Sequence, residues 1–183
     1  MATYQNSSVT STKLILGNAK IEIAATTVGS AYTNLGVGVV NSFKYTPTMY
    51  DVQAGNGPDP IQGIASEECT VDFELIEFDG EVLESLTGGA MVSTGTTTQT
   101  VVCGGNSTVT PKIFRITNST TVGGTIRTTV LTIFKGYLTS GFALNFKGDN
   151  DSDPIAVMPC TITGKVDATL TAGSQLFKIV KKQ

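Results

Sequence analysis

The stretch that decides the fold is Glu68-Cys69-Thr70-Val71-Asp72-Phe73-Glu74-Leu75, continuing as Ile76-Glu77-Phe78. Cys69, Val71, Phe73 and Leu75 fall on one side of a two-residue period, and Glu68, Thr70, Asp72 and Glu74 on the other. An extended chain with one face buried and one face wet produces that alternation, as in an antiparallel sheet. Same-face carboxylates on such a strand stand ~7 Å apart, so the outer face of this strand is acidic.

On its N-terminal side, residues 50–63 (Tyr-Asp-Val-Gln-Ala-Gly-Asn-Gly-Pro-Asp-Pro-Ile-Gln-Gly) combine prolines and glycines that exclude a central strand or a helix. The segment reads as one long loop, of the kind that is usually functional or ordered by a partner. Before it, Val39–Tyr45 reads as a strand with Val39, Phe43 and Tyr45 packed and Ser42 and Lys44 opposite. Thr26–Gly38 reads as a loop or irregular hairpin. Lys13–Leu16 and Asn18–Ala25 read as strands, the second with Ala19, Ile21 and Ile23 alternating against Asn18, Lys20 and Glu22. Residues 1–12 are polar and read as an arm, which leaves 13–183 as a single β domain.

On its C-terminal side, Asp79 is placed to cap one short helix, Gly80–Thr87, with Val82, Leu83 and Leu86 at helical spacing and Gly88-Gly89 to end it. Strands are then expected at Met91–Cys103, Thr110–Thr117, Thr125–Lys135, Tyr137–Phe146, Val157–Asp167 and Gln175–Lys181, with turns between them at Gly104-Gly105-Asn106, Val122-Gly123-Gly124 and Lys147–Asp153. Composition agrees. Thr alone supplies 29 of the 183 residues, and 20 glycines serve the turns. The expectation is a mostly β chain, an antiparallel β-sandwich or half-barrel with one short α-helix at about 80–87.

The same counts narrow the chemistry. There is no His, which removes Ser-His-Asp and Cys-His nucleophile activation and His-ligated zinc. A net charge of −3 argues against binding nucleic acid by charge neutralisation. No run is long and apolar enough to span a membrane as a helix, and the first residues lack the apolar core of a secretory signal. Cys69, Cys103 and Cys160 read as small buried hydrophobes of a reduced compartment.

Asp149-Asn-Asp-Ser-Asp153 begins like a calcium loop but puts Pro154 and Cys160 where Gly and Glu belong, so it reads as a polar turn. Gly36-Val-Gly38 and Gly164-Lys165 lack the remainder of a dinucleotide or phosphate loop. Asn6, Asn106, Asn118 and Asn150 head sequons that a Ser/Thr-rich chain produces by chance. A weak echo links Asp59-Pro-Ile and Cys69-Thr-Val to Asp153-Pro-Ile and Cys160-Thr-Ile at unequal spacing. The carboxylates Glu67, Glu68, Asp72, Glu74 and Glu77 have separations suited to glycosidases. The chain, however, has no Trp for stacking a sugar. No catalytic, cofactor or metal residue is assigned, and the chain is expected not to be an enzyme.

The order of elements resembles the tail tube (major tail) proteins of tailed bacteriophages. The resemblance rests on Val39-Val-Asn-Ser-Phe-Lys-Tyr45, the loop 50–63, Thr70-Val-Asp-Phe-Glu-Leu75 with the helix Glu81–Leu86, Phe134-Lys-Gly-Tyr-Leu-Thr-Ser-Gly141 and Cys160-Thr-Ile-Thr-Gly164. It covers roughly residues 13 to 170, and no single motif in it is diagnostic. It implies six subunits in a ring whose inner strands join into one barrel, with rings stacked into a hollow tube for DNA passage in the phage tail. Ser42, Lys44, Glu68, Thr70, Asp72 and Glu74 would then line the lumen, with Lys44 placed to pair with a carboxylate. Tyr50, Asp51, Val52, Gln53, Asn56, Pro58, Asp59, Pro60 and Ile61 would meet the next ring. It further implies assembly in the host cytoplasm, sheath, tape-measure and tail-terminator proteins as partners, and DNA in transit without specific binding. The competing expectations are a capsid decoration or head–tail joining protein and a carbohydrate-binding β-sandwich.

Overall fold

A computed structural model describes residues 18–26, 30–52, 61–76, 84, 86, 90–93, 99–102, 104–105, 109–122, 124–139 and 158–182. Among the described residues there are nine strands: β1 Asn18–Ala25, β2 Thr33–Val52, β3 Ile61–Leu75, β4 Ala90–Ser93, β5 Gln99–Val102, β6 Lys112–Val122, β7 Thr125–Leu138, β8 Met158–Lys165 and β9 Phe177–Lys182. All pairings are antiparallel. The main sheet runs β6-β1-β2-β3-β8-β7-β9, and β6 also pairs with β7. That extra pairing closes the sheet on itself. The half-barrel expected from the pattern is thus a six-stranded barrel completed within one chain, with β9 appended to β7.

The alternation in β3 is what the barrel is built on. Cys69, Val71 and Leu75 are 0% exposed and Phe73 is 1%. They meet Ile21, Leu35, Val40, Phe114, Ile116, Leu131, Ile133, Met158, Cys160 and Ile162 in one core. Six strands enclose little space, and glycines on inward positions make room. A Cβ at Gly136 would lie 2.5 Å from the Phe114 ring, one at Gly164 2.5 Å from Cys69 Sγ, and one at Gly38 2.5 Å from the Glu74 carbonyl oxygen. Here glycine is a strand-interior requirement rather than a turn signal.

Several sequence expectations change on this frame. Thr33–Gly38, expected within a loop, begins β2, because Gly36 and Gly38 are both buried strand residues. The packed residue of β2 is Val40 rather than Val39. Asn41 is an extra residue in the β2–β3 ladder, so Val40 opposes Phe73 while Ser42 opposes Asp72. Within the expected strand Met91–Cys103 the described residues form two strands, β4 and β5, that pair antiparallel with each other. Thr125–Lys135 and the start of Tyr137–Phe146 are one strand, β7, since Gly136 continues the ladder opposite Lys112 and Gly164.

The two ends of the loop expected at 50–63 are strand. Tyr50, Asp51 and Val52 belong to β2, and Ile61, Gln62 and Gly63 to β3. Gln53, Asn56, Pro58, Asp59 and Pro60 lie outside the described residues, as do residues 1–17 and 140–157. Of the expected helix Gly80–Thr87 only Glu84 and Leu86 are described. Both are helical, and Leu86 is buried.

Cys69 and Cys160 are free and buried. Burial pushes both thiols up to about 11, so neither is nucleophilic at neutral pH. Disulfide-exchange reagents at pH 8 are expected to leave both unlabelled in the folded protein and to label both in denaturant. Rapid native labelling of either would mean that the barrel opens there.

Candidate functional site: two faces of a projecting arm

β2 and β3 are longer than the barrel needs. β1 accompanies β2 only as far as Val39, opposite Asn18. β8 accompanies β3 from Leu75 only to Glu68, opposite Lys165. Beyond these points residues 46–52 and 61–67 pair only with each other among the described residues. At ~3.3 Å per residue they form an arm of about 20 Å. Its outer edges, from Val40 along β2 and from Glu67 back along β3, have no described strand partner. Unpaired edges of this kind are normally paired or blunted. Pro47 blunts one position of the β2 edge, since it carries no N–H.

The two faces of the arm differ because each continues a face of the barrel. From Ser42 onward β2 alternates without interruption, so Phe43, Tyr45, Pro47 and Met49 share the core-facing side. Ala65 is an extra residue in β3, which sets Ile64 opposite Met49. This apolar row runs out of the core into solvent. Phe43 is half-buried, while Tyr45 is 39%, Met49 51% and Ile64 51% exposed. The other side carries Ser42, Lys44, Thr46, Thr48 and Tyr50 with Ser66, Glu68, Thr70, Asp72 and Glu74. Tyr50 lies over Gly63, where an added Cβ would strike its ring.

The polar side is organised. Ser42 Oγ donates to Asp72 at 2.6 Å and Thr161 Oγ1 donates to its other oxygen at 2.8 Å, joining β2, β3 and β8. These two bonds hold the Asp72 carboxyl below its ordinary 3.8, so it is charged at neutral pH. Asn41 Nδ2 donates to Glu74 at 3.2 Å. Lys165 Nζ meets Glu68 at 2.5 Å. Lys44, expected to pair with a carboxylate, makes no ion pair among the described residues; Lys165 is the cation that does. Of the lumen candidates, Ser42, Lys44, Glu68, Thr70, Asp72 and Glu74 therefore do share one outward surface. Of the loop candidates, Tyr50, Asp51 and Val52 stand near the far end of the arm with Ile61.

At the base of the arm is a groove of about 280 Å³ lined by Tyr45, Glu67, Gly173, Gln175, Leu176 and Phe177. The Tyr45 hydroxyl donates to Glu67, and that carboxylate holds the phenol above its ordinary 10.0. Phe177 meets Phe43 and Tyr45 edge-on, with ring centroids 5.1 and 5.7 Å apart. The sequence reading passed over Met49, Ile64 and this groove. Their one signal was the alternation Phe43, Tyr45, Pro47, Met49, which runs on past the end of the expected strand. Among the described residues no helix is long and apolar enough to cross a membrane, and no group of three or more His, Cys, Asp or Glu is placed to hold a metal.

A second charged cluster lies on β1 and β6. Glu22, 7% exposed, accepts from Arg115 Nε at 2.7 Å and Lys20 Nζ at 2.9 Å, and Arg115 sits 3.6 Å from the centre of the Tyr32 ring. The Arg115 bond, with Lys20 assisting, holds the Glu22 carboxyl below its ordinary 4.5 against the effect of burial. A carboxylate depressed in the folded state adds stability above its unfolded pKa and loses it as pH falls through the folded value. Glu22 and Asp72 thus add a constant amount at pH 6–8 and less below about pH 4.5. Urea unfolding should show Glu22→Gln less stable than the parent at pH 7, with the gap narrowing by pH 3. A gap that stays constant would mean that the ion pair contributes nothing.

No protein-family model and no curated protein matches the chain. Among solved structures it is similar to a chain of the anti-feeding prophage cap (AFP tube terminating cap), with TM-score 0.48 and 10% identity over 100% of both chains. It is similar to a chain of the six-fold symmetrised AFP baseplate, with TM-score 0.46 and 7% identity over 93% of this chain and 97% of that one. A crystal structure of Hcp protein gives TM-score 0.41 and 10% identity over 90% and 99%.

Proposed function

We propose that this chain is a structural, non-catalytic subunit of a tail-tube-like assembly, in which copies join through the β2–β3 arm into rings and the rings stack into a hollow tube. One observation carries the reading. The apolar row Tyr45, Met49 and Ile64 continues the barrel core into solvent between two unpaired strand edges. A monomer gains nothing from that row, whereas a neighbour covering it buries about 1 kcal/mol or more for each half-exposed large side chain. The two edges lie on opposite sides of the arm. The β3 edge of one copy can therefore meet the β2 edge of the next, a head-to-tail contact that closes into a ring.

Six is the ring size implied by the resemblance to phage tail tube proteins. With the apolar side covered, the opposite side forms the inner wall. Asp72 and Glu74 give that wall negative potential, and Lys44 and Lys165 moderate it. Such a wall repels a polyanion passing through it, which suits transit of DNA without binding.

The test reverses the wall. Asp72→Lys with Glu74→Lys should still assemble into hollow particles, with internalised DNA retained where the parent releases it. If the variant fails to fold, a milder pair, Glu74→Lys with Glu68→Lys, leaves the Ser42–Asp72–Thr161 bonds intact and serves the same purpose. Unchanged DNA passage in that pair would remove the lumen assignment. Particles of closed, non-tubular symmetry would instead favour a capsid decoration or joining protein.

A further inference from the structure

We propose that Arg127 is the receptor for a carboxylate of a second copy of this chain, Asp51 at the tip of the neighbour's arm, an inference that rests on the assembly reading above. Within β7 the two-residue period puts Arg127 on the side of Thr129, Leu131 and Ile133, which are 7%, 1% and 0% exposed. Its side chain therefore starts on the core-facing side of the barrel wall, at the end where β6 turns into β7. Its Nη1 is buried without a hydrogen-bond partner, alone in this among the buried side-chain nitrogens and oxygens of the described residues. The polar groups beside it are satisfied. Asn118, opposite Thr129, donates to the Asn18 carbonyl at 2.6 Å and accepts from Thr120, opposite Arg127, at 3.2 Å.

A guanidinium cannot shed its proton, and a buried donor left unpaired is costly, more so when it is charged. The group that relieves it is an anion, and the planar fork of Arg fits a carboxylate best. The side chain as a whole is only half-buried, so a group arriving from outside can reach it. Residues 1–17, which precede β1, contain no Asp or Glu. Among the described carboxylates, Glu22, Glu67, Glu68, Asp72, Glu74 and Asp167 each accept from a side chain of their own chain. Asp51 and Glu84 do not, among the described residues. Glu84 stands two positions from the buried Leu86. Asp51 is exposed on the projecting arm.

Topology brings Asp51 and Arg127 to the same end of the molecule. β2 and β6 are both antiparallel to β1, so they run the same way, and the arm tip after β2 lies at the end where β6 turns into β7. Asp51 shares the core-facing side of the arm with Tyr45 and Met49. A neighbour's arm laid along the β3 edge extends the barrel wall, and its core-facing side then looks across at the core-facing side of β7. A ring joined arm to arm keeps its copies at one height, so the neighbour's Asp51 arrives at the end that holds Arg127.

Charge exchange on the full chain tests the pair, with the concentration needed for assembly and the melting of dilute monomer both read. Arg127→Met removes the unpaired nitrogen and keeps an apolar stem, so the monomer should melt no lower than the parent. Assembly should then need about thirtyfold more protein. Asp51→Arg should cost assembly at least as much. Both reversals in one chain, Asp51→Arg with Arg127→Asp, should bring assembly back to within about threefold of the parent. If that chain does not fold, Arg127→Met with Asp51→Asn answers the same question, since true partners lose together no more than Arg127→Met loses alone. A monomer destabilised by Arg127→Met would show that the chain pairs Arg127 itself. Losses that multiply in the double variant would show that another carboxylate serves it. Either result overturns the proposal. Variants that assemble as readily as the parent remove this pair and leave assembly standing, whereas a parent that forms no tubes removes both.

Discussion

Met49→Asp with Ile64→Asp is expected to abolish assembly and leave the barrel intact. Both side chains are 51% exposed and opposite each other on the core-continuous side of the arm. In the free subunit they are surface residues, where substitutions usually change stability by about 0.5 kcal/mol or less. In the assembled state each would be covered, so the change forfeits their burial and places two carboxylates in an apolar contact without partners. A loss of ~3 kcal/mol per contact, about a hundredfold in association, is a conservative figure. The readout is paired: sedimentation for assembly and thermal unfolding for the monomer. A monomer melting as the parent does, with assembly gone, is the expected result. Undiminished assembly would show that the row is not an interface.

Gly38→Val should do the opposite, damaging the barrel wherever the chain is assembled or not. An added Cβ would stand 2.5 Å from the Glu74 carbonyl oxygen and 3.0 Å from Ile21 Cδ1. The first neighbour is backbone held in the β2–β3 ladder, so it cannot rotate away as a side chain would. Overpacking of this kind costs ~1–3 kcal/mol and occasionally more. With the valine branches added, about 3 kcal/mol is expected, a fall in melting temperature of roughly 6–12 °C for a chain of this size. Gly63→Ala is the internal control. Its nearest neighbours are the far atoms of the exposed Tyr50 ring, which can swing aside, so its cost should be small. Equal losses from the two would contradict the narrow-barrel explanation of the inward glycines.

The contrast between those glycines also explains how much of the fold was legible in the sequence. The β3 alternation was fully readable, because a half-buried antiparallel strand writes its burial into a two-residue period and Cys69 to Leu75 keep it without a break. β1 was readable for the same reason. The start of β2 was not, because Gly36 and Gly38 carry the local signature of a turn, while Gly38 is there for lack of space inside the barrel and Gly36 for a positive φ of 121° at a register shift against β1. Gly136 misled in the same way, splitting β7 in two. The shift from Val39 to Val40 came from the extra Asn41, which no period can reveal.

The closure of the barrel was hidden because it depends on β6 meeting both β1 and β7, pairings between residues as far apart as Ile23 and Phe114. The candidate site was half legible. The acidic row on β3 stood out in the sequence, and the register sets it on the same side as Ser42 and Lys44. The apolar row opposite did not stand out, since prolines and glycines at 55–63 made the whole segment look like a loop. The residues that carry the proposal, Met49 and Ile64, flank that obscured stretch.

The central claim is that one chain completes its own barrel but leaves the arm unfinished until copies join. Negative-stain microscopy of the concentrated parent protein beside the Met49→Asp, Ile64→Asp variant tests it directly. The parent should give annular end views and hollow rods, and the variant only dispersed single subunits. Dispersed monomers from the parent at millimolar concentration, with the arm amides already slow to exchange with solvent, would contradict it.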